Sequence, residues 1–175
     1  MERAVYLDYN ATAPMKPAVI AAVVEAMGRL GNASSVHRFG RLARRAVEEA
    51  RERVAALVGA RPEQVVFTSS GTEANNLALH GHGRVRVIIS AIEHDSVRRA
   101  APHAEILPVG ADGVVDLEAL ARLLSRDGKP ALVSVLLANN ETGVIHPVAE
   151  VARLARSHGC LVHCDAVQAA GKIPV

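Results

Sequence analysis

ALVSVLLANNETGVIHPVAEVARLARSHGCLVHCD, residues 131–165, reads as a strand, a helix and a second strand. Ala131 to Ala138 is an apolar, β-branched run. Val148 to His158 carries apolar residues at helical spacing and is closed by Gly159. Leu161 to Asp165 is a second short apolar run. Strands that are apolar throughout, rather than alternating, are buried on both faces. Two of them joined by a helix specify a parallel pair with a crossover.

The same rhythm extends towards the N-terminus. Val65 to Thr68, Val85 to Ser90 and the weaker Ile106 to Val109 read as strands. Glu73 to His80, Ser96 to Ala101 and Asp116 to Ser125 read as helices, the last with Asp116 as N-cap. Two helices precede them. Ala18 to Leu30 has helical spacing up to Gly31. Leu42 to Val58 sets Leu42, Val47, Val54, Leu57 and Val58 against Glu48, Glu49, Arg51 and Glu52. Asn32 to Gly40 is a polar loop between them. The fold class is α/β, a mostly parallel sheet flanked by helices.

Composition narrows the function. The chain has 175 residues, half of them hydrophobic, and a formal charge of +2. That balance calls for neither a nucleic acid nor a membrane partner. Arg38, Arg41, Arg44 and Arg45 form the one basic cluster, read as a solvated helix face. Cys160 and Cys164 would lie roughly 13 Å apart on a strand at ~3.3 Å per residue, too far for a disulfide. They read as buried free thiols of a cytoplasmic protein. His80 and His82 lack a third ligand at metal spacing and read as surface.

In an open parallel sheet, ligands bind beyond the carboxyl ends of the strands. Four of the five expected strand ends carry compact polar groups: Ser69 to Glu73, Ile92 to Asp95, Asn139 to Gly143, and Asp165 with Gln168. SSGTE opens a helix, where free amides, a glycine and two hydroxyls make an anion cradle; an ordinary Ser or Thr cap is the alternative. Asp165 at the end of an apolar strand asks for a cation or donors, and a protonated pyridine nitrogen is such a cation. Capping of the next turn is the alternative there. His94 is placed to stack on a planar group and exchange protons. Asn139, Asn140 and Glu141 suit a phenolate or carboxylate ligand, or an Asx turn.

YLDYNATAP (6–14), GNASSVHRFG (31–40), VVFTSSGTEANNLAL (65–79), EHDSV (93–97), ANNETGV (138–144) and HCDAVQAAGKIPV (163–175) together resemble the cysteine desulfurases. These are class V enzymes of the pyridoxal 5'-phosphate-dependent transferase fold, type I. The resemblance runs the whole chain in order. It implies that Gly71 and Thr72 hold the cofactor phosphate, and that His94 stacks on the ring and moves protons. It also implies that Asp165 partners the pyridine nitrogen, Gln168 the ring hydroxyl, and Asn140 the ring hydroxyl and substrate carboxylate. Residues 1–15 would be a segment of the small domain at the substrate mouth, with Asn10, Ala11 and Thr12 returning to it. Residues 16–175 would be part of the cofactor-binding large domain. His37, Arg38 and Phe39 would lie near the active site and a homodimer contact.

The resemblance further implies L-cysteine as substrate, L-alanine as product and a sulfur-acceptor or scaffold protein as partner. It also implies that the Schiff-base lysine and the nucleophilic cysteine lie beyond Val175. Lys172, Cys160 and Cys164 match neither, so the 175 residues alone are expected to be inactive. They are also expected to expose two apolar sheet edges, at Val65–Thr68 and Leu161–Asp165, and to be poorly soluble or oligomeric. Three other readings compete. One is a sister reaction: selenocysteine lyase, kynureninase or class V aminotransferase. Another is a non-catalytic fragment. The third is a nucleotide-binding domain, which lacks GxGxxG and GK[ST] here.

Overall fold

Four apolar runs pair into one sheet in the computed structural model, which describes residues 4–175. The first three residues of the expected N-terminal segment lie outside that range. The strands are β1 (Arg86–Ser90), β2 (Glu105–Leu107), β3 (Ala131–Ser134) and β4 (Leu161–His163). Their order is β2-β1-β3-β4 and every pairing is parallel. Single backbone bonds carry the β3–β4 contact further, from Val135 N–H to His163 O and from Leu137 N–H to Asp165 O (3.2 and 2.9 Å).

The helices are α1 (Pro17–Met27), α2 (Arg38–Leu57), α3 (Gly71–Gly81), α4 (Asp95–Ala100), α5 (Leu117–Ser125) and α6 (Val148–Ser157). Asp116 caps α5 as expected, accepting from Ala119 N–H at 2.9 Å. Helix α2 begins earlier than its spacing suggests, because His37 Nδ1 accepts from Gly40 N–H and starts the turn. Gly40 is required there, since a Cβ would run into the Ser35 carbonyl.

Both faces of the sheet are covered, which explains why its strands do not alternate. On one face Ile88, Ala131, Val133 and Val135 pack with Leu120 and Leu124 of α5 and Val151 and Ala155 of α6. On the other, Ile89 and Leu132 pack with Leu79 of α3 and Val97 of α4. Each fully buried Leu or Val contributes about 1.5–3 kcal/mol by leaving water.

The chain divides into two compact units, one ending at Phe67 and one spanning Thr68–Val175. The second holds the whole sheet. One expectation fails at the end of the first. Val65–Thr68 is not a strand: no described strand pairs with it, and a strand without a ladder partner has no independent stability. Val65 offers its carbonyl to Arg51, whose guanidinium sits 5.1 Å from the Phe67 ring centre. The apolar stripe of α2 is also poorly buried, with Leu42 54% and Leu57 60% exposed. The four-arginine cluster is solvated, as read; Arg45 pairs with Glu49.

The sheet edges are therefore β2 and β4, not Val65–Thr68. Ile106 and Leu161 on them are exposed. Unpaired apolar edges template association. The purified 175-residue chain is expected to self-associate in sedimentation velocity. A monodisperse, cooperatively melting monomer would contradict this.

Candidate functional site

Because the strands are parallel, the segments after β1, β3 and β4 emerge on one edge of the sheet, and these three strands are neighbours. Helix α3 brings a fourth segment to α4, against which it packs. Four of the expected polar groups thus gather in the second unit.

Ser70 caps α3, its hydroxyl accepting from Glu73 N–H at 3.3 Å. The ordinary capping role therefore belongs to Ser70. The other amides of the first turn have no carbonyl one turn earlier to bond. Nothing lies within 4 Å of where a Cβ on Gly71 would sit, so a ligand can approach that backbone closely. Glu73 reaches back to Ser69 N–H and Oγ, and these bonds lower its pKa. Thr72 and His94 line one cavity of about 360 Å³ with Asn76, Asp95 and Ser96.

His94 is exposed and also lines a second cavity, of about 510 Å³, with Glu93, Asn139 and Asn140. It caps α4: Ser96 N–H donates to Nδ1 at 3.1 Å, and Ser96 Oγ lies 2.8 Å from the same nitrogen. An amide can only donate, so Nδ1 accepts, and the neutral ring carries its proton on Nε2.

The polar triple after β3 resolves into two roles. Asn139 is buried and builds an Asx turn, its Oδ1 accepting from Glu141 N–H and Thr142 N–H at 2.8 and 2.9 Å. Gly143 completes the turn at φ +75°. Asn140, half-buried, lines the larger cavity.

Asp165 lies two residues past β4 and is half-buried. Its Oδ1 accepts from Val167 N–H (3.0 Å) and its Oδ2 from Asn75 Nδ2 (2.9 Å). The first of these is the turn-capping bond expected of a strand-end Asp. Among the described residues no lysine, arginine or histidine forms an ion pair with it. Each oxygen has accepted one bond and has a second lone pair. A carboxylate so placed suits a cationic ligand. Gln168 follows in the next turn, half-buried, with Oε1 accepting from Lys172 Nζ. It lines neither cavity.

Sequence reasoning missed Asn75 and Ser96, which link these groups. Asn75 Nδ2 bonds Ser96 Oγ (2.9 Å) as well as Asp165. The signal was present: Asn75 lies one helical turn before the buried Leu79, on the same face. A second network lies beneath. Glu93 is buried, its Oε1 accepting from Ser90 Oγ and Leu136 N–H, both at 2.8 Å. Ser134 Oγ sits 2.9 Å from His163 Nδ1, a histidine without a local sequence signal.

Burial raises the Glu93 pKa, the bonds from Ser90 and Leu136 oppose it, and the Asp165 charge adds to it. A carboxyl whose folded pKa exceeds its unfolded value weakens the fold as pH rises between the two. Glu93→Gln is therefore expected to remove a decline in stability above the ordinary glutamate range. Urea midpoints of both proteins from pH 4.5 to 8 check this; parallel curves would rule it out.

The cysteines agree with the reading of free thiols. Cys160 is buried and accepts from Ala131 N–H at 3.1 Å. Cys164 is only partly buried, yet burial and the Glu93 and Asp165 charges push its thiol up to about 11. A group so poorly ionised is a weak nucleophile. No helix of the described residues is long and apolar enough to cross a membrane, and they contain no cluster of metal-ligating side chains.

The aminotransferase class-V family model matches residues 5–175. The chain is 43% identical over 188 residues to the IscS-like cysteine desulfurase of Mycobacterium tuberculosis, covering 97% of this chain and 48% of that protein. It is 40% identical to the cysteine desulfurase IscS of Dictyoglomus turgidum, at 100% and 48% coverage. Among solved structures, a NifS-like protein from Rickettsia africae superposes with a TM-score of 0.91 at 36% identity, over 98% of this chain and 50% of the other. SspA in complex with cysteine gives 0.84 at 27% identity, with 97% and 53% covered. The chain spans about half the length of the curated relatives it matches.

Proposed function

Since the chain belongs to the aminotransferase class-V family, we propose that it is the cofactor-holding half of a cysteine desulfurase, converting L-cysteine to L-alanine and passing on the sulfur. One observation carries the cofactor assignment. Asp165 is a half-buried carboxylate with no cationic partner among the described residues, and a hydrogen-bonded bridge joins it to His94 beside the open N-terminus of α3. That donor set fits a ligand with a phosphate at one end and a protonated ring nitrogen at the other. Pyridoxal 5'-phosphate is such a ligand, and when bound it supplies an electron sink for the carbon bearing the substrate amine.

The residues then have defined work. Gly71 and Thr72 take the phosphate, where first-turn amides and the helix dipole favour negative charge. Asp165 keeps a proton on the ring nitrogen. His94 presents a flat ring and holds an exchangeable proton on Nε2. Gln168 and Asn140 hydrogen-bond the ring hydroxyl, and Asn140 also the substrate carboxylate. We assign neither the covalent lysine nor the sulfur-accepting cysteine to this chain. Cys164 is too weakly acidic, and Lys172 bonds Gln168.

A homodimer and a sulfur-accepting partner protein complete the proposal. The half-exposed apolar stripe of α2 supports a covered face there. The two free thiols support a reducing compartment such as the cytoplasm. Over sister class V reactions, the relatives' names and the neighbour solved with cysteine favour this substrate.

The test is titration of the purified chain with pyridoxal phosphate, followed by assay for alanine from L-cysteine. Saturable binding competed by inorganic phosphate, without alanine, is expected. Failure to bind refutes the cofactor reading. Sustained alanine production would place the whole catalytic apparatus within these 175 residues and overturn the division of labour.

A further inference from the structure

Asn75 is given no ligand contact above, yet it is 5% exposed and both its amide protons are engaged. One goes to Asp165 Oδ2 and one to Ser96 Oγ, each at 2.9 Å. A carboxylate oxygen only accepts, so the amide nitrogen, not its oxygen, must face Asp165. Ser96 is itself buried on α4 and bonded to His94. The Asn75 side chain is thereby held at two ends, by a helix on one side and the β4 exit on the other.

We propose that Asn75 is a positioning residue for cofactor recognition: it orients the Asp165 carboxylate towards the ring nitrogen. This rests on the pyridoxal phosphate reading. The argument is one of degrees of freedom. Asp165 has one carboxylate oxygen tied locally, by Val167 N–H two residues on. That bond alone leaves the carboxylate able to turn. The second donor, from a residue 90 positions earlier in the chain, fixes the plane. A planar acceptor fixed in advance loses less freedom when it meets a cation, and discriminates better for it. The competing role is structural: Asn75 would merely tie α3 to α4 and to the sheet.

The two roles separate on a ligand pair, pyridoxal phosphate and its 1-deaza analogue, in which carbon replaces the ring nitrogen. Equilibrium dialysis would measure both with the wild-type chain, Asn75→Leu and Asn75→Ala. The wild type is expected to prefer the natural cofactor by roughly tenfold or more, the scale of one charge-assisted hydrogen bond. Both variants are expected to reduce that preference to about threefold or less, while holding the analogue within about twofold of wild type. The retained analogue affinity shows that the phosphate cradle is intact. Unchanged preference in the variants overturns the proposal and leaves the cofactor reading standing. Parallel loss of both ligands in both variants marks a structural role and also overturns it. A wild type with no preference, or no binding, overturns both.

Discussion

Arg86→Ala is expected to cost about 3–5 kcal/mol, the scale of breaking a buried ion pair by removing one partner. Arg86 opens β1 and is 8% exposed. Its guanidinium binds Glu105 on β2 with two bonds (2.7 and 3.2 Å) and Asp127 with one (2.6 Å). It also donates to the Leu123 and Lys129 carbonyls at 2.8 and 3.2 Å. One side chain thus joins two strands, the end of α5 and the loop leading into β3. Its removal strands two carboxylates and two carbonyls together. Arg86→Met would restore the volume but none of the donors, and is expected to recover little.

Domains of this size are stable by only about 5–15 kcal/mol, so such a loss is a large fraction of the total. Urea unfolding followed by circular dichroism checks it. A change below about 1 kcal/mol would show that Arg126, already 2.9 Å from Glu105, and water take over the freed groups. The bridge sits at the opposite end of β1 from His94, so pyridoxal phosphate affinity of the folded variant is expected to stay unchanged.

Asp165→Ala acts at the other end of the sheet. If Asp165 holds the proton of the cofactor ring, its removal takes away a charge-assisted hydrogen bond of about 1.5–3 kcal/mol, or roughly a ten- to 150-fold loss of affinity. Asp165→Asn is not a conservative alternative. The carboxylate accepts from Val167 N–H and Asn75 Nδ2 on different oxygens. An amide offers one oxygen, so one donor would face another donor. The Asn variant is therefore expected to lose cofactor affinity as fully as Ala and also some stability. Dialysis and thermal melting of both variants read these effects. Wild-type affinity in either would remove Asp165 from the site.

Much of this was legible locally. Asp116 before an apolar-periodic run marked the start of α5, and Gly159 the end of α6, because capping and left-handed glycine are properties of a few adjacent residues. Non-alternating strands announced a sheet covered on both faces, and the sheet is so covered. The polar groups after three of the strands placed His94, Asn140 and Asp165 on one edge, since parallel strands share a direction.

What stayed hidden depends on partners distant in sequence. Val65–Thr68 has strand composition, but a strand is made by its neighbour, and no described segment supplies one. Leu42 and Leu57 have helical spacing, but spacing cannot say whether anything covers them. Asn139 and Asn140 look alike in the chain and line the same cavity. Only the turn closing on Glu141 and Thr142 made Asn139 the buried scaffold and left Asn140 the more accessible of the two. Composition and periodicity alone determined the α/β class, the parallel sheet and the edge on which the polar groups would gather. Tertiary structure alone decided that Asn75, 90 residues from Asp165, ties that carboxylate to the histidine, because hydrogen bonds between distant segments leave no periodic trace.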